Sequence, residues 1–127
     1  MAKVGYGRIN SIDESLDEQE SKLDENGCEK VFLDKQTDTT VDGPRLTEVL
    51  NYVRHGDSLV ITRLDRLARS TYHLTRIAQE LRDKGIDLVV LDQNIDTSTP
   101  TGKLFFDMLA SIAEFEADIR KDREKWT

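Results

Sequence analysis

One cysteine, two prolines and 6% aromatic residues leave this 127-residue chain few devices for fixing a small fold other than a packed core. The lone Cys28 cannot close an internal disulfide, and with only His55 and His73 beside it there is no ligand set for structural zinc. It follows Gly27 and reads as a small packed residue in a reduced, intracellular setting. At 37% hydrophobic residues the chain fits one domain with a single core. No apolar run approaches the roughly 20 residues of a membrane span, and the N-terminus has no signal-peptide pattern, so a soluble, cytoplasmic protein is expected. Gly-rich phosphate loops of the GxxxxGKS or GxGxxG type are also missing, which argues against a nucleotide-binding or flavodoxin-like phosphate domain.

A basic balance is absent as well. The net charge of -7 argues against strong, independent binding to nucleic acid, whose duplex form is held largely by lysine and arginine neutralising phosphates. The charge is unevenly spread. Residues 13–25 carry seven acids against Lys22, or -6, whereas residues 62–84 carry six bases against Asp65, Glu80 and Asp83, or +3. One part of the surface can therefore meet phosphate while another stays acidic.

What is present is an alternation of short apolar runs and helical stripes. Val4, Tyr6 and Ile9 predict a first strand, 31–33 a second, 59–61 a third and 86–91 a fourth. Between them, Ser11 with Glu14 three residues on forms a capping box for a first helix ending near Gly27. Pro44 opens a second helix bearing Leu46, Val49, Leu50 and Val53, with Gly56 as its stop. Leu74, Ile77, Ala78 and Leu81 define another, ending at Gly85. This order predicts an α/β fold: one three-layer domain with a mostly parallel sheet of four to five strands, followed by a long C-terminal helix. Residues 34–43 read as a loop long enough to carry function, and residues 92–101 as a polar connection.

The last helix is the longest. From Gly102 it carries Leu104, Phe105, Met108, Leu109, Ile112, Phe115 and Ile119 over about 22 residues, roughly 33 Å at 1.5 Å per residue. That exceeds the needs of a small core, so part of the stripe is expected to pair with another chain, giving a homodimer or tetramer through Phe105, Met108, Leu109, Ile112 and Phe115. Residues 1–101 are thus read as the α/β body and 102–127 as an oligomerisation helix of the same domain.

The most telling segment is Thr62-Arg63-Leu64-Asp65-Arg66-Leu67-Ala68-Arg69-Ser70, which crowds three guanidinium groups around one carboxylate just after a strand. Arginine presents paired planar donors that match two phosphate oxygens at once, and several together can spread developing negative charge. A second segment, Gly5-Tyr6-Gly7-Arg8-Ile9-Asn10-Ser11, stands at the end of the first strand. In a parallel sheet, ligands gather at the carboxyl ends of strands, which places both segments at one site.

In this order and separation the two segments resemble the catalytic domain of serine recombinases, the DNA resolvase and invertase family, with its Tyr-x-Arg-Val-Ser-Thr and Leu-Asp-Arg-Leu-Gly-Arg motifs. Further blocks agree in register: Gln19, Asp34-Lys35, Pro44 with Leu46, Ser98-Thr99-Pro100-Thr101-Gly102-Lys103, and Ala113-Glu114-Phe115-Glu116. The resemblance runs from Gly5 to about Arg123. It implies phosphoryl transfer without metal or cofactor, in which a serine hydroxyl attacks the phosphorus of double-stranded DNA. The bond to the 3′-oxygen breaks, leaving a 5′-phosphoserine and a free 3′-hydroxyl.

Carried over, Arg8, Arg66 and Arg69 would ligate the scissile phosphate, and Asp65 would orient them or pass a proton to the leaving oxygen. Tyr6, Gln19, Arg45, Arg120 and Arg123 are the further candidates for contact with phosphate or DNA. The departures fall in the same site. Asn10 stands in the nucleophile position, and a carboxamide cannot attack phosphorus. Ser11 does not replace it, since neighbouring side chains of a strand point to opposite faces and its oxygen is committed to the helix cap. Gly43 and Ala117 stand where the family has arginines, and Arg45 and Arg120 are the nearest substitutes. These losses imply a domain that does not cleave DNA as written, or a non-catalytic relative that pairs with and regulates an intact recombinase. The family's helix-turn-helix domain has no counterpart after the long helix, so sequence-specific recognition is expected to lie outside this chain.

Overall fold

The computed structural model describes residues 2–8, 16–34, 44–68 and 70–126, without the side chains of 16, 17, 44 and 122–126. The elements in order are β1 (Lys3–Arg8), α1 (Leu16–Glu25), β2 (Lys30–Asp34), α2 (Pro44–Tyr52), β3 (Ser58–Ile61), α3 (Leu64–Leu67), α4 (Thr71–Lys84), β4 (Asp87–Val90), β5 (Ile95–Asp96) and α5 (Pro100–Trp126). They build one five-stranded sheet in the order β2-β1-β3-β4-β5. The first four strands run parallel, with Tyr6 opposite Phe32, Val4 opposite Leu59 and Leu59 opposite Leu88.

Burial follows from this topology. Every residue from Val4 to Arg8 is buried, as a strand covered on both faces requires. Val4, Tyr6, Leu59, Ile61, Leu88 and Val90 join Leu46 and Val49 of α2, Ile77 and Leu81 of α4, and Phe106 and Leu109 of α5 in one core. Close packing on β1 depends on its glycines. A Cβ on Gly5 would lie 3.1 Å from Leu23 and 3.2 Å from the Cys28 sulfur, and one on Gly7 would lie 2.9 Å from Gln19 Oε1. Burial pushes the Cys28 thiol up from its ordinary value, as expected of a packed residue.

Helix ends are set by local chemistry. Ser70 Oγ accepts the His73 N–H at 3.1 Å and caps α4. At the other end Gly85 takes φ 72°, and Ile86 N–H reaches back to Leu81 O at 2.9 Å. Thr99 opens α5: its hydroxyl accepts Gly102 N–H at 3.1 Å and its carbonyl accepts Lys103 N–H at 2.8 Å. Gly102 is forced, because a Cβ there would fall 1.9 Å from the Asp96 carbonyl oxygen.

Three expectations need correction. The connection over 92–101 is not wholly loop: Ile95 and Asp96 form β5, antiparallel to Val90 and Val89. The chain reverses through Asn94 at φ 54°, and a strand of two residues is too short to show a period. The last helix has 27 residues, not about 22, which makes it about 40 Å long. Its apolar stripe also divides. Leu109 is buried and Phe105 packs against the core, whereas Leu104, Met108, Ile112 and Phe115 are exposed. The buried side of α5 is completed by Ala110 and Ala113, whose small side chains allow close approach. The capping box at Ser11 and the loop after Asp34 lie outside the described residues.

Candidate functional site

The order β2-β1-β3-β4 reverses direction between β1 and β3, and a crevice opens at the carboxyl ends of strands on either side of such a reversal. Arg8 ends β1, and the arginine turn follows β3 immediately. Arg8 is 1% exposed. Its Nη2 donates to the Asp65 carbonyl at 2.8 Å, so a guanidinium from one strand is tied to the backbone of the turn that carries Arg66, 57 residues away.

The backbone of Arg8 is fixed separately. Gln19, on α1, accepts the Arg8 N–H at Oε1 (3.0 Å) and donates from Nε2 to the Arg8 carbonyl (2.8 Å). Both bonds are buried, and they form because Gly7 leaves room for the carboxamide. The turn has its own fastening. Gln93 Oε1 accepts the Leu64 N–H at 2.8 Å at the start of α3, and Lys22 of α1 pairs with Asp92 at 3.1 Å.

Arg66 is half-buried and lines a small cleft of about 60 Å³ with Glu18, Gln19, Lys22, Thr62, Arg63 and Asp92. That lining holds three cations and two carboxylates. Asp65 points its carboxylate outward, 3.3 Å from Arg63 Nε. It meets a shallow groove shared with Ser70, Thr71 and Leu74.

Asp34, at the end of β2, is a third buried polar centre. Its carboxylate accepts the Tyr6 hydroxyl at 2.6 Å and the N–H groups of Arg45 and Leu46 at 3.1 Å each. It thereby caps α2 from another strand, a role usually played by the residue just before the helix. Among the described residues no three His, Cys, Asp or Glu side chains are grouped as a metal site would need.

The family model described as "Resolvase, N terminal domain" matches residues 3–127. The chain belongs to that family. It is 41% identical over 125 residues to the integrase-like protein y4lS of Sinorhizobium fredii, covering 98% of this chain and 68% of the relative. To the serine recombinase gin of Escherichia phage Mu it is 40% identical over 120 residues, covering 94% of this chain and 62% of the relative. The chain thus spans about two thirds of these relatives. The crystal structure of the N-terminal catalytic domain of TP901-1 integrase shares the fold with a TM-score of 0.74 at 24% identity, covering 94% of this chain and 98% of that one. The relatives are resolvases, invertases and serine recombinases, and the chain has the α/β fold expected of a resolvase N-terminal domain.

Within this resolvase-family chain the candidate residues divide as follows. Arg8, Gln19, Asp65 and Arg66 are brought together. Tyr6 is buried, with its hydroxyl on Asp34. Arg45 extends along α2 to Glu48 at 2.8 Å. Arg120 lies on α5 with its guanidinium 3.7 Å from the centre of the Tyr72 ring, and it donates to the Tyr72 hydroxyl. Asn10, Arg69 and the Arg123 side chain fall outside the described residues, as does Gly43. Sequence reasoning missed Asp34, Gln93 and Tyr72 as structural partners of the site. Only Asp34 left a signal, as the last residue before a Pro-started helix.

Proposed function

We propose that the crevice between β1 and β3 binds a phosphodiester of double-stranded DNA. Arg66 would meet it at the rim and Arg8 would act from beneath, with Arg69 and Asp65 completing the set. The observation that carries this reading is the bond from Arg8 Nη2 to the Asp65 carbonyl, which joins the two arginine-bearing segments at one strand-end crevice. A buried guanidinium acts through low dielectric, where its charge is screened least. The setting is the cytoplasm, where DNA is accessible.

With Asn10 in the nucleophile position, the chain holds DNA without forming the phosphoserine link. The test is incubation with duplex DNA followed by denaturing electrophoresis and a binding titration. Binding that weakens in Arg66→Ala, with no covalent adduct, is expected. An adduct from the unaltered chain would overturn the inactivity, and binding indifferent to Arg66→Ala would overturn the site.

A second reading concerns pairing. Leu104, Met108, Ile112 and Phe115 are exposed on α5 at helical spacing, with Leu104 at 62% and Phe115 at 65% exposure. That face suits a second copy, as a homodimer or within a tetramer, or the same helix of an intact recombinase, which this chain would then restrain. Mixing with an intact relative and measuring mass by analytical ultracentrifugation decides between them. Mixed dimers favour restraint, self-association alone favours the homodimer, and a monomer in both cases removes the pairing role.

A further inference from the structure

Helices α4 and α5 lie side by side and antiparallel. Arg82 near the end of α4 pairs with Asp107 near the start of α5 at 3.0 Å, and Thr75 meets Glu116 at 3.4 Å. Continuing this alignment brings the first turn of α4 against Arg120, and there the contact is Tyr72. The first turn of α4 follows directly on the arginine turn, with Tyr72 six residues beyond Arg66. Arg120 is thus carried to the end of the molecule where the crevice opens.

The contact is unusual in its charge balance. Arg120 stacks on the Tyr72 ring at 3.7 Å and bonds the hydroxyl of the same residue, while Arg76 lies 5.6 Å from the same ring centre. Among the described residues neither arginine has a carboxylate within ion-pair distance. Two guanidinium groups gathered on one half-buried ring repel each other, while the ring's negative face attracts both. An oxyanion would complete the arrangement. Stacking also fixes the plane of a long side chain in advance, so less freedom is lost when its remaining donors take up phosphate.

We propose that Tyr72 is a positioning residue that holds Arg120 ready to take a backbone phosphate of the DNA lying across the crevice, next to the phosphate assigned to Arg66. This rests on the reading of the crevice as a DNA-phosphate site and adds a second point of contact on the strand. Tyr72 acts only through Arg120: its ring supplies the platform and its hydroxyl sets the angle.

The salt dependence of duplex binding separates this role from a structural one, since each phosphate contact contributes about 0.9 to the slope of log K against log salt. The chain and its variants Arg120→Ala, Tyr72→Leu, Tyr72→Phe, Arg66→Ala and the double variant Tyr72→Leu with Arg120→Ala are titrated with a short duplex at several salt concentrations. Arg120→Ala and Tyr72→Leu should each flatten the slope by about 0.9. The double variant should flatten it no further, and Tyr72→Phe should keep most of it. Should Tyr72→Leu fail to fold, as judged by circular dichroism, Tyr72→Gln takes its place.

A wild-type slope in Tyr72→Leu beside a reduced one in Arg120→Ala would overturn the positioning role. So would a wild-type slope in Arg120→Ala when Arg66→Ala is flattened. If the unaltered chain shows no salt-dependent binding, the crevice reading fails first and this inference with it.

Discussion

Gln19 holds Arg8 by both of its backbone polar groups: one carboxamide accepts the Arg8 N–H at 3.0 Å and donates to the Arg8 carbonyl at 2.8 Å. A strand whose last residue must present a buried guanidinium is thereby pinned from the helix beside it. Gln19→Ala would strand a buried donor and a buried acceptor. Leaving such groups unsatisfied costs about 1–3 kcal/mol each before relaxation, so a loss of roughly 2–3 kcal/mol and a fall in Tm of about 10 °C is expected. Thermal unfolding followed by circular dichroism measures it, and a variant as stable as the parent would show that water or a shifted neighbour replaces both bonds.

The same clamp explains Gly7. An added methyl would lie 2.8 Å from Leu33 Cδ2 and 2.9 Å from Gln19 Oε1, and only the leucine can turn aside without losing hydrogen bonds. Gly7→Ala should therefore cost about 1–3 kcal/mol, the usual range for overpacking. Placed on Gln19→Ala, it should cost less, because the opposing oxygen is gone. A double-mutant cycle by urea unfolding tests this coupling, and strictly additive losses would refute it.

Asp34 ties β1, β2 and α2 through one carboxylate that accepts the Tyr6 hydroxyl and two helix-starting amides. Asp34→Ala removes a helix cap and the carboxylate that accepts the buried Tyr6 hydroxyl, for a loss of roughly 3 kcal/mol. Tyr6→Phe removes a single partner and should lose about 1 kcal/mol. Equal losses from the two variants would mean that the cap contributes nothing.

Asp57 gives a pH signature. Hydrogen bonds from the Ala2 N–H at 3.0 Å and the Arg54 N–H at 2.9 Å hold its carboxyl below the usual carboxylate range. A carboxylate depressed in the folded state stabilises it above the unfolded value, near pH 4. That contribution disappears as the pH falls through the lowered folded value. In Asp57→Asn the drop in Tm between neutral and strongly acidic solution should be smaller than in the parent. Parallel Tm profiles for the two proteins would exclude this source.

Much of the scaffold was readable from spacing. Apolar runs at Val4, Phe32, Leu59 and Leu88 mark the four parallel strands, and Pro44 and Gly85 mark helix ends, because each obeys a local rule. The arginine crevice was readable for a related reason, since parallel order alone sends the ends of β1 and β3 to one place. What escaped was set by contacts across the sequence. The Gln19 clamp spans 11 residues and the Tyr72–Arg120 stack spans 48, and neither leaves a periodic trace. The burial of Leu109 was misjudged because its companions Ala110 and Ala113 carry too little apolar surface to announce a packed face. The four-residue helix α3 and the two-residue β5 are too brief to show any period.

That last strand has a bearing on how molecules of this kind gather. Only two residues long and running against its neighbour, β5 finishes one margin of the sheet almost as soon as it begins. A margin so abbreviated offers no row of open amides for a foreign strand to grip. Growth by adding strands on that side is closed off.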